Sequence, residues 1–196
     1  MIIGIPKEIK DNEKRVSVTP YGVNELVANG NTVLVQKNAG IGSGFLDTLY
    51  LENGAEIFET AEEIFSKSNL IVKVKEPQPD EIKLIKENQI IFTFFHFAAD
   101  KDLTDGIINS NSIAIAYETI EDTHASLPIL IPMSEVAGRM SVQNGAKCLE
   151  GSMGGKGKLL SGVPGVEPAV VTILGGGIVG TNAAKLVAGL GANVKI

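Results

Sequence analysis

The chain has 196 residues, 44% of them hydrophobic and 20% charged, a balance that supports a packed core and excludes an intrinsically disordered chain. A net charge of −6 and a pI near 5.0 argue against a general nucleic-acid binder. A single cysteine, Cys148, forbids an intramolecular disulfide and fits a reducing cytosol. No run reaches the roughly 18 apolar residues of a membrane span, and MIIGIPKEIK lacks a signal-peptide core, so a cytoplasmic protein without membrane or nucleic-acid partners is expected.

Short β-branched runs alternate with helix-period segments through the first 120 or so residues. The predicted strands are Ile2–Ile5, Thr32–Gln36, Leu70–Val74, Ile90–Phe95 and Ile113–Tyr117. Between the first two, Thr19 caps a helix with Pro20 at its first position, and Gly30 ends it. Thr60 and Glu63 have the capping-box spacing ahead of Ile64 and Phe65. Asp80 to Lys86 and Leu103 to Ile108 read as further helical stretches. Strands alternating with helices predict an α/β fold with a mostly parallel, doubly wound sheet. The near-continuous apolar runs Leu70–Val74 and Ile90–Phe95 are those of strands covered on both faces.

Ser134 is expected to cap a longer helix that runs to about Leu149. Gly151 to Pro168, rich in glycine and proline, reads as a connector. After it, Val170–Leu174 leads into Gly175-Gly176-Gly177-Ile178-Val179-Gly180 and a helical stretch from Asn182 to Leu190. The spacing G-x-G-x-x-G between strand and helix is the start of a Rossmann-type dinucleotide-binding unit. Its first glycine makes the tight turn, its second admits a pyrophosphate, and its third lets the helix pack close. The chain divides accordingly into residues 1–130, an α/β unit, and residues 131–196, a helix, a connector and the first strand-helix-strand of the dinucleotide unit. The acidic residue that holds the ribose in this fold falls about 20 residues on, at or past Ile196, so NAD and NADP are not distinguished by the motif.

Ligands of open α/β sheets bind outside the carboxyl ends of the strands. Four polar residues stand there: Arg15 after the first strand, Lys75 after the third, His96 after the fourth and Glu118 after the fifth. Guanidinium, ammonium and imidazole together suit a small carboxylate that bears a carbonyl or an amine. Plainer explanations exist for each. Lys73 or Lys75 can be a solvated strand-end lysine, Arg15 a surface charge near Glu13, and Glu118 a helix cap or the partner of a lysine. His96 lies among Phe94, Phe95 and Phe97, where a buried imidazole needs a partner. His124 lies in a polar stretch and reads as loop.

Several stretches resemble the alanine dehydrogenase family: Gly4-Ile5-Pro6-Lys7-Glu8, Asn12-Glu13-Lys14-Arg15-Val16, Lys73-Val74-Lys75-Glu76-Pro77 and Phe92-Thr93-Phe94-Phe95-His96. Ala116-Tyr117-Glu118-Thr119, Pro132 to Arg139 and Gly162 to Val166 extend the likeness in order along the chain. The resemblance covers about the N-terminal half of such an enzyme. It implies reversible oxidative deamination of L-alanine to pyruvate and ammonia with NAD as cofactor, in an enzyme that is typically a homo-oligomer. It further implies that Arg15 and Lys75 hold the substrate, that His96 moves the proton, that Ser134 touches cofactor, and that Gly175, Gly177, Ile178, Val179 and Gly180 cradle the pyrophosphate. No metal is implied. The related nucleotide-binding part of proton-translocating transhydrogenase and a non-catalytic assembly fragment are the alternatives. Half an enzyme of this kind is expected to be weakly active or inactive by itself.

Overall fold

In the computed structural model, which describes Met1–Ile196, the β-branched runs pair side by side and the capped segments cross between them. Two units are present, Met1–Thr119 and Ile120–Ile196. The first carries six strands: β1 (Ile2–Ile5), β2 (Thr32–Gln36), β3 (Glu56–Phe58), β4 (Leu70–Lys75), β5 (Ile90–Phe94) and β6 (Ile113–Ala116). Its helices are α1 (Pro20–Ala28), α2 (Asp47–Glu52), α3 (Ala61–Lys67), α4 (Pro79–Ile82) and α5 (Lys101–Asn109). All pairs are parallel, in the order β3-β2-β1-β4-β5-β6. Strand order therefore reverses between β1 and β4, the place where open sheets of this kind leave a crevice.

The sheet is covered on both faces, as the apolar runs required. Leu34 of β2 joins Ile64, Phe65, Ile71, Ile91 and Phe95 in one core. Its neighbours Val33 and Val35 point the other way, into a second core with Ile5, Val23 and Tyr50. Gly4 shows how tightly α3 sits on β1: a Cβ there would lie 2.3 Å from Ser68 Oγ and 2.7 Å from Ile64 Cγ2. The helix signals hold in detail. Thr19 accepts from Gly22 N ahead of Pro20, and Thr60 and Glu63 form the reciprocal capping box.

Other expectations are corrected. The edge strand β3 and helix α2 lie in a stretch without clear periodicity, Glu56–Phe58 having only three residues of strand. The helix expected over Asp80–Lys86 stops at Ile82, and β5 and β6 each end one residue early.

In the second unit, α6 (Ile131–Leu149) lies against α7 (Ile178–Gly189), and β7 (Val170–Thr172) pairs in parallel with β8 (Asn193–Lys195). Ser134 is not the cap of α6. The helix begins at Ile131, with Pro132 in its first turn, and Ser134 N donates to Leu130 O inside the helix. Proline in the first turn needs no N–H partner, so the helix extends one turn ahead of the serine. Gly138 lets the two helices touch, since a Cβ there would lie 2.3 Å from Val179 O. Val142, Ala183 and Val187 form the buried centre of this unit. No helix of the chain is long and apolar enough to cross a membrane.

Candidate active site

The β1–β4 ladder runs only through Ile3–Leu70 and Gly4–Ile71, and beyond it the two strands part. Side chains from the loop that follows β1 enter the gap. Ser17 Oγ donates to Val72 O at 2.7 Å, and Glu8 accepts from Val74 N at 2.6 Å. The same loop carries Arg15. Glu13 chelates it, accepting from the guanidinium at 2.8 and 2.6 Å and from Arg15 N at 2.9 Å. That pairing, with Lys75 adding to it, lowers the Glu13 carboxyl to about 2. Arg15 is thus not a loose surface charge. It is presented in one orientation, its guanidinium partly exposed, at a cleft of about 530 Å³ that Glu8, Glu13 and Asn38 also line. A cleft of this size suits a small molecule.

Lys75 ends β4, half-buried, and lies close enough to Glu13 to act on its ionisation. Lys73 behaves differently from the solvated strand-end residue envisaged for it. It is fully buried, its Nζ 3.1 Å from Glu8 and 2.7 Å from Glu81.

His96 also departs from expectation. β5 ends at Phe94, and His96 turns the chain in the left-handed region at φ 58°, ψ 38°. The imidazole is exposed instead of packed among phenylalanines; Phe95 and Phe97 stack on each other at 4.4 Å. Glu118 holds this turn. Its carboxylate accepts from His96 N at 2.6 Å and from Phe95 N at 3.4 Å. The acid is therefore neither helix cap nor lysine partner. Arg15, Lys75 and His96 follow three adjacent parallel strands and stand at one edge of the sheet. His124 is exposed in the turn that follows the first unit.

In the second unit the glycine loop has the shape a diphosphate requires. Gly175 sits at φ +102°, and a Cβ on Gly180 would lie 1.9 Å from Gly175 O, so both positions need glycine. Gly177 caps α7 without a side chain, leaving the first-turn N–H groups of Ile178 and Val179 directed outward from the helix end. The loop is an open cradle, lined by backbone donors, of the kind a diphosphate needs. Replacing Gly180 with alanine forces Gly175 away, so the variant is expected to lose about 1–3 kcal/mol of stability. Weaker dinucleotide binding, read by fluorescence titration, should accompany the lower denaturation midpoint. Unchanged affinity would show that the loop is not the cradle.

Residues 4–137 match the description "Alanine dehydrogenase/PNT, N-terminal domain", and residues 141–196 match "Alanine dehydrogenase/PNT, C-terminal domain". The chain belongs to the alanine dehydrogenase/PNT family. Within it, an alanine dehydrogenase of Methanococcus maripaludis is 55% identical over 196 residues, all of this chain and 52% of the relative. One of Bacillus subtilis is 51% identical over 196 residues, again all of this chain and 51% of the relative. A solved L-alanine dehydrogenase superposes on 98% of the chain and 53% of its own length with a TM-score of 0.92 and 51% identity. A transhydrogenase from Sinorhizobium meliloti superposes with a TM-score of 0.82 at 24% identity, covering 99% of this chain and 55% of its own, a likeness of fold. The chain spans about half the length of the curated relatives it matches. Within the family fold, the residues that sequence reasoning passed over are Glu8, Glu81 and Ser17. For Glu81 the available signal was its place in the first turn of α4, and Glu8 had none near it in sequence.

Proposed function

We propose that this chain carries the substrate-binding part, residues 1–130, and the start of the dinucleotide-binding part, residues 131–196, of an NAD-dependent alanine dehydrogenase. The reaction is L-alanine, water and oxidised dinucleotide to pyruvate, ammonium, reduced dinucleotide and a proton, and its reverse. What supports it is the placement of two cations, Arg15 held by Glu13 and Lys75 at the end of β4, with an exposed imidazole at the edge flanking the β1/β4 crevice. Close likeness to enzymes named alanine dehydrogenase supports it independently.

The roles follow from the chemistry of the groups. Arg15, oriented by Glu13, offers a planar fork to the substrate carboxylate. Lys75 offers a point charge to the oxygen that becomes the pyruvate carbonyl, or to the carboxylate. His96 takes a proton from the amine in deamination and returns it in the reverse direction, a task that an imidazole, with one nitrogen to donate and one to accept, can perform. Ser134 contacts the cofactor from α6, and Gly175 to Gly180 hold its pyrophosphate. When bound, the nicotinamide supplies the hydride acceptor. A cytoplasmic homo-oligomer is the form we assign to the whole enzyme.

Alanine-dependent reduction of NAD by the full-length enzyme tests the reading, with NADP and with other amino acids as controls. Absence of alanine-dependent turnover, with NADP–NAD exchange in its place, would put the chain with the transhydrogenases. Arg15→Ala is expected to raise KM for pyruvate about ten- to hundredfold, the worth of a charge-assisted pair, with a smaller effect on kcat. An unchanged KM removes Arg15 from the substrate site.

A further inference from the structure

Lys73 and Lys75 are two residues apart in β4. In a regular strand they would share a face. They do not. The β4–β5 register pairs Val72 with Phe92 and Lys75 with Phe94, three steps on β4 against two on β5. One extra residue is accommodated between them, and a shift of one residue sends every following side chain to the opposite face. Lys75 consequently shares its face with Val72 and Phe94, while Lys73 shares the face of Ile71 and is fully buried.

Alongside this shift β4 has already parted from β1, so the backbone groups on that side of the strand have no ladder partner, and the loop after β1 supplies one. Val74 N donates to Glu8 Oε1 at 2.6 Å. Glu8 Oε2 accepts from Lys73 Nζ, and the same ammonium binds Glu81 Oε1. Glu81 Oε2 in turn accepts from Gln78 N at the start of α4. The three charged side chains are almost entirely excluded from water, at 0% for Lys73, 2% for Glu8 and 3% for Glu81. They join the loop after β1, the bulge in β4 and the helix after it. Lys10 and Glu76 make a second, more exposed tie between the same loop and the residue that follows Lys75.

We propose that Glu8 is the positioning residue of Lys75: by taking the Val74 N–H in the β1/β4 gap it fixes the segment of β4 in which the register shifts and from which Lys75 turns to the crevice, and Lys73 with Glu81 fixes Glu8 there. The inference rests on the substrate-binding reading of Lys75. It differs from that reading in its subject, because both carboxylate oxygens of Glu8 are engaged, by Val74 N and Lys73 Nζ, and Glu8 acts through the backbone.

The test compares Glu8→Gln, Glu8→Leu, Lys75→Met and the double variant Glu8→Leu/Lys75→Met in the full-length enzyme, by KM for pyruvate and by kcat. Glutamine keeps an oxygen for Val74 N–H, so Glu8→Gln retains KM within about threefold of the parent. Leucine removes the acceptor, and Glu8→Leu raises KM about ten- to hundredfold, as loss of one aligned charged contact does. Because Glu8 works through Lys75, the double variant is no worse than Lys75→Met alone. Additive losses in the double variant, or a Glu8→Leu enzyme with the parent KM beside an impaired Lys75→Met, overturn the proposal alone. A normal KM in Lys75→Met overturns the reading of Lys75 and the proposal with it. Should Glu8→Leu fail to fold, the 196-residue chain itself decides. Hydrogen exchange of the Val74 amide is slow, and its proton shifts downfield, if the carboxylate holds it; exchange at the rate of an open amide overturns the proposal.

Discussion

His96→Asn is expected to reduce turnover in both directions about 10²–10⁴-fold, the usual worth of a positioned proton-transfer group, and to leave dinucleotide affinity and stability nearly intact. Asparagine is the informative replacement because His96 occupies the left-handed region at φ 58°. Asparagine tolerates that conformation better than alanine does. The fold at this turn is held from below, by the Glu118 carboxylate on the two backbone N–H groups, and the exposed ring fills no cavity. Removing the imidazole therefore takes away chemistry and little else. The measurements are steady-state rates with saturating pyruvate and ammonium, a melting curve, and a dinucleotide titration. Turnover within threefold of the parent would falsify the assignment of His96 as proton carrier. A parallel loss of dinucleotide affinity would instead assign the ring to binding.

The strand ends were legible because their signal is local. Arg15, Lys75 and His96 each follow an apolar run whose length and flanks mark a buried parallel strand, and the parallel sheet does bring all three to one edge. The caps at Thr19 and Thr60 were legible for the same reason, each needing only a neighbour three residues away. Three features depended on pairing across the sheet and had no such signature. The bulge in β4 exists only relative to β5, so the two lysines at 73 and 75 looked equivalent in sequence and face opposite ways in the structure. Burial of Lys73 requires Glu8, 65 residues away along the chain. His96 read as a histidine among aromatics because a period-two pattern carries no record of where the strand stops; ending β5 at Phe94 and turning through a left-handed residue reverses its environment. Ser134 shows the converse error, a good cap residue overridden by a proline two residues earlier in the first turn of the helix.

The same long-range pairing makes Lys73→Met the substitution with the largest expected effect on stability. The side chain is fully buried, and its two carboxylate partners are nearly so. Methionine fills comparable volume but leaves the acids of Glu8 and Glu81 in low dielectric without their counter-ion. Breaking a buried pair by removing one partner costs about 3–5 kcal/mol. The loss should depend on pH in a definite direction. Burial already raises the Glu8 carboxyl above its ordinary 4.5, and Lys73 is the largest influence opposing that rise. Without Lys73 the carboxyl moves further up. A group whose folded pKa exceeds its unfolded value contributes stability below the unfolded pKa, and that contribution is lost as pH rises through the folded one. The variant is accordingly weakest at neutral pH and above, and recovers as Glu8 takes up a proton on acidification. Glu13, whose carboxyl is strongly lowered, does not confuse the measurement. Held near 2 by Arg15, its contribution fades only as pH falls from 4.5 toward that value. Urea denaturation of parent and variant between about pH 5 and pH 8 isolates the Glu8 effect, since the carboxylates of ordinary pKa are already ionised there. A variant as stable as the parent at pH 7, or one that loses ground as the solution is acidified across that range, would show that the three charges do not form the coupled unit the geometry describes.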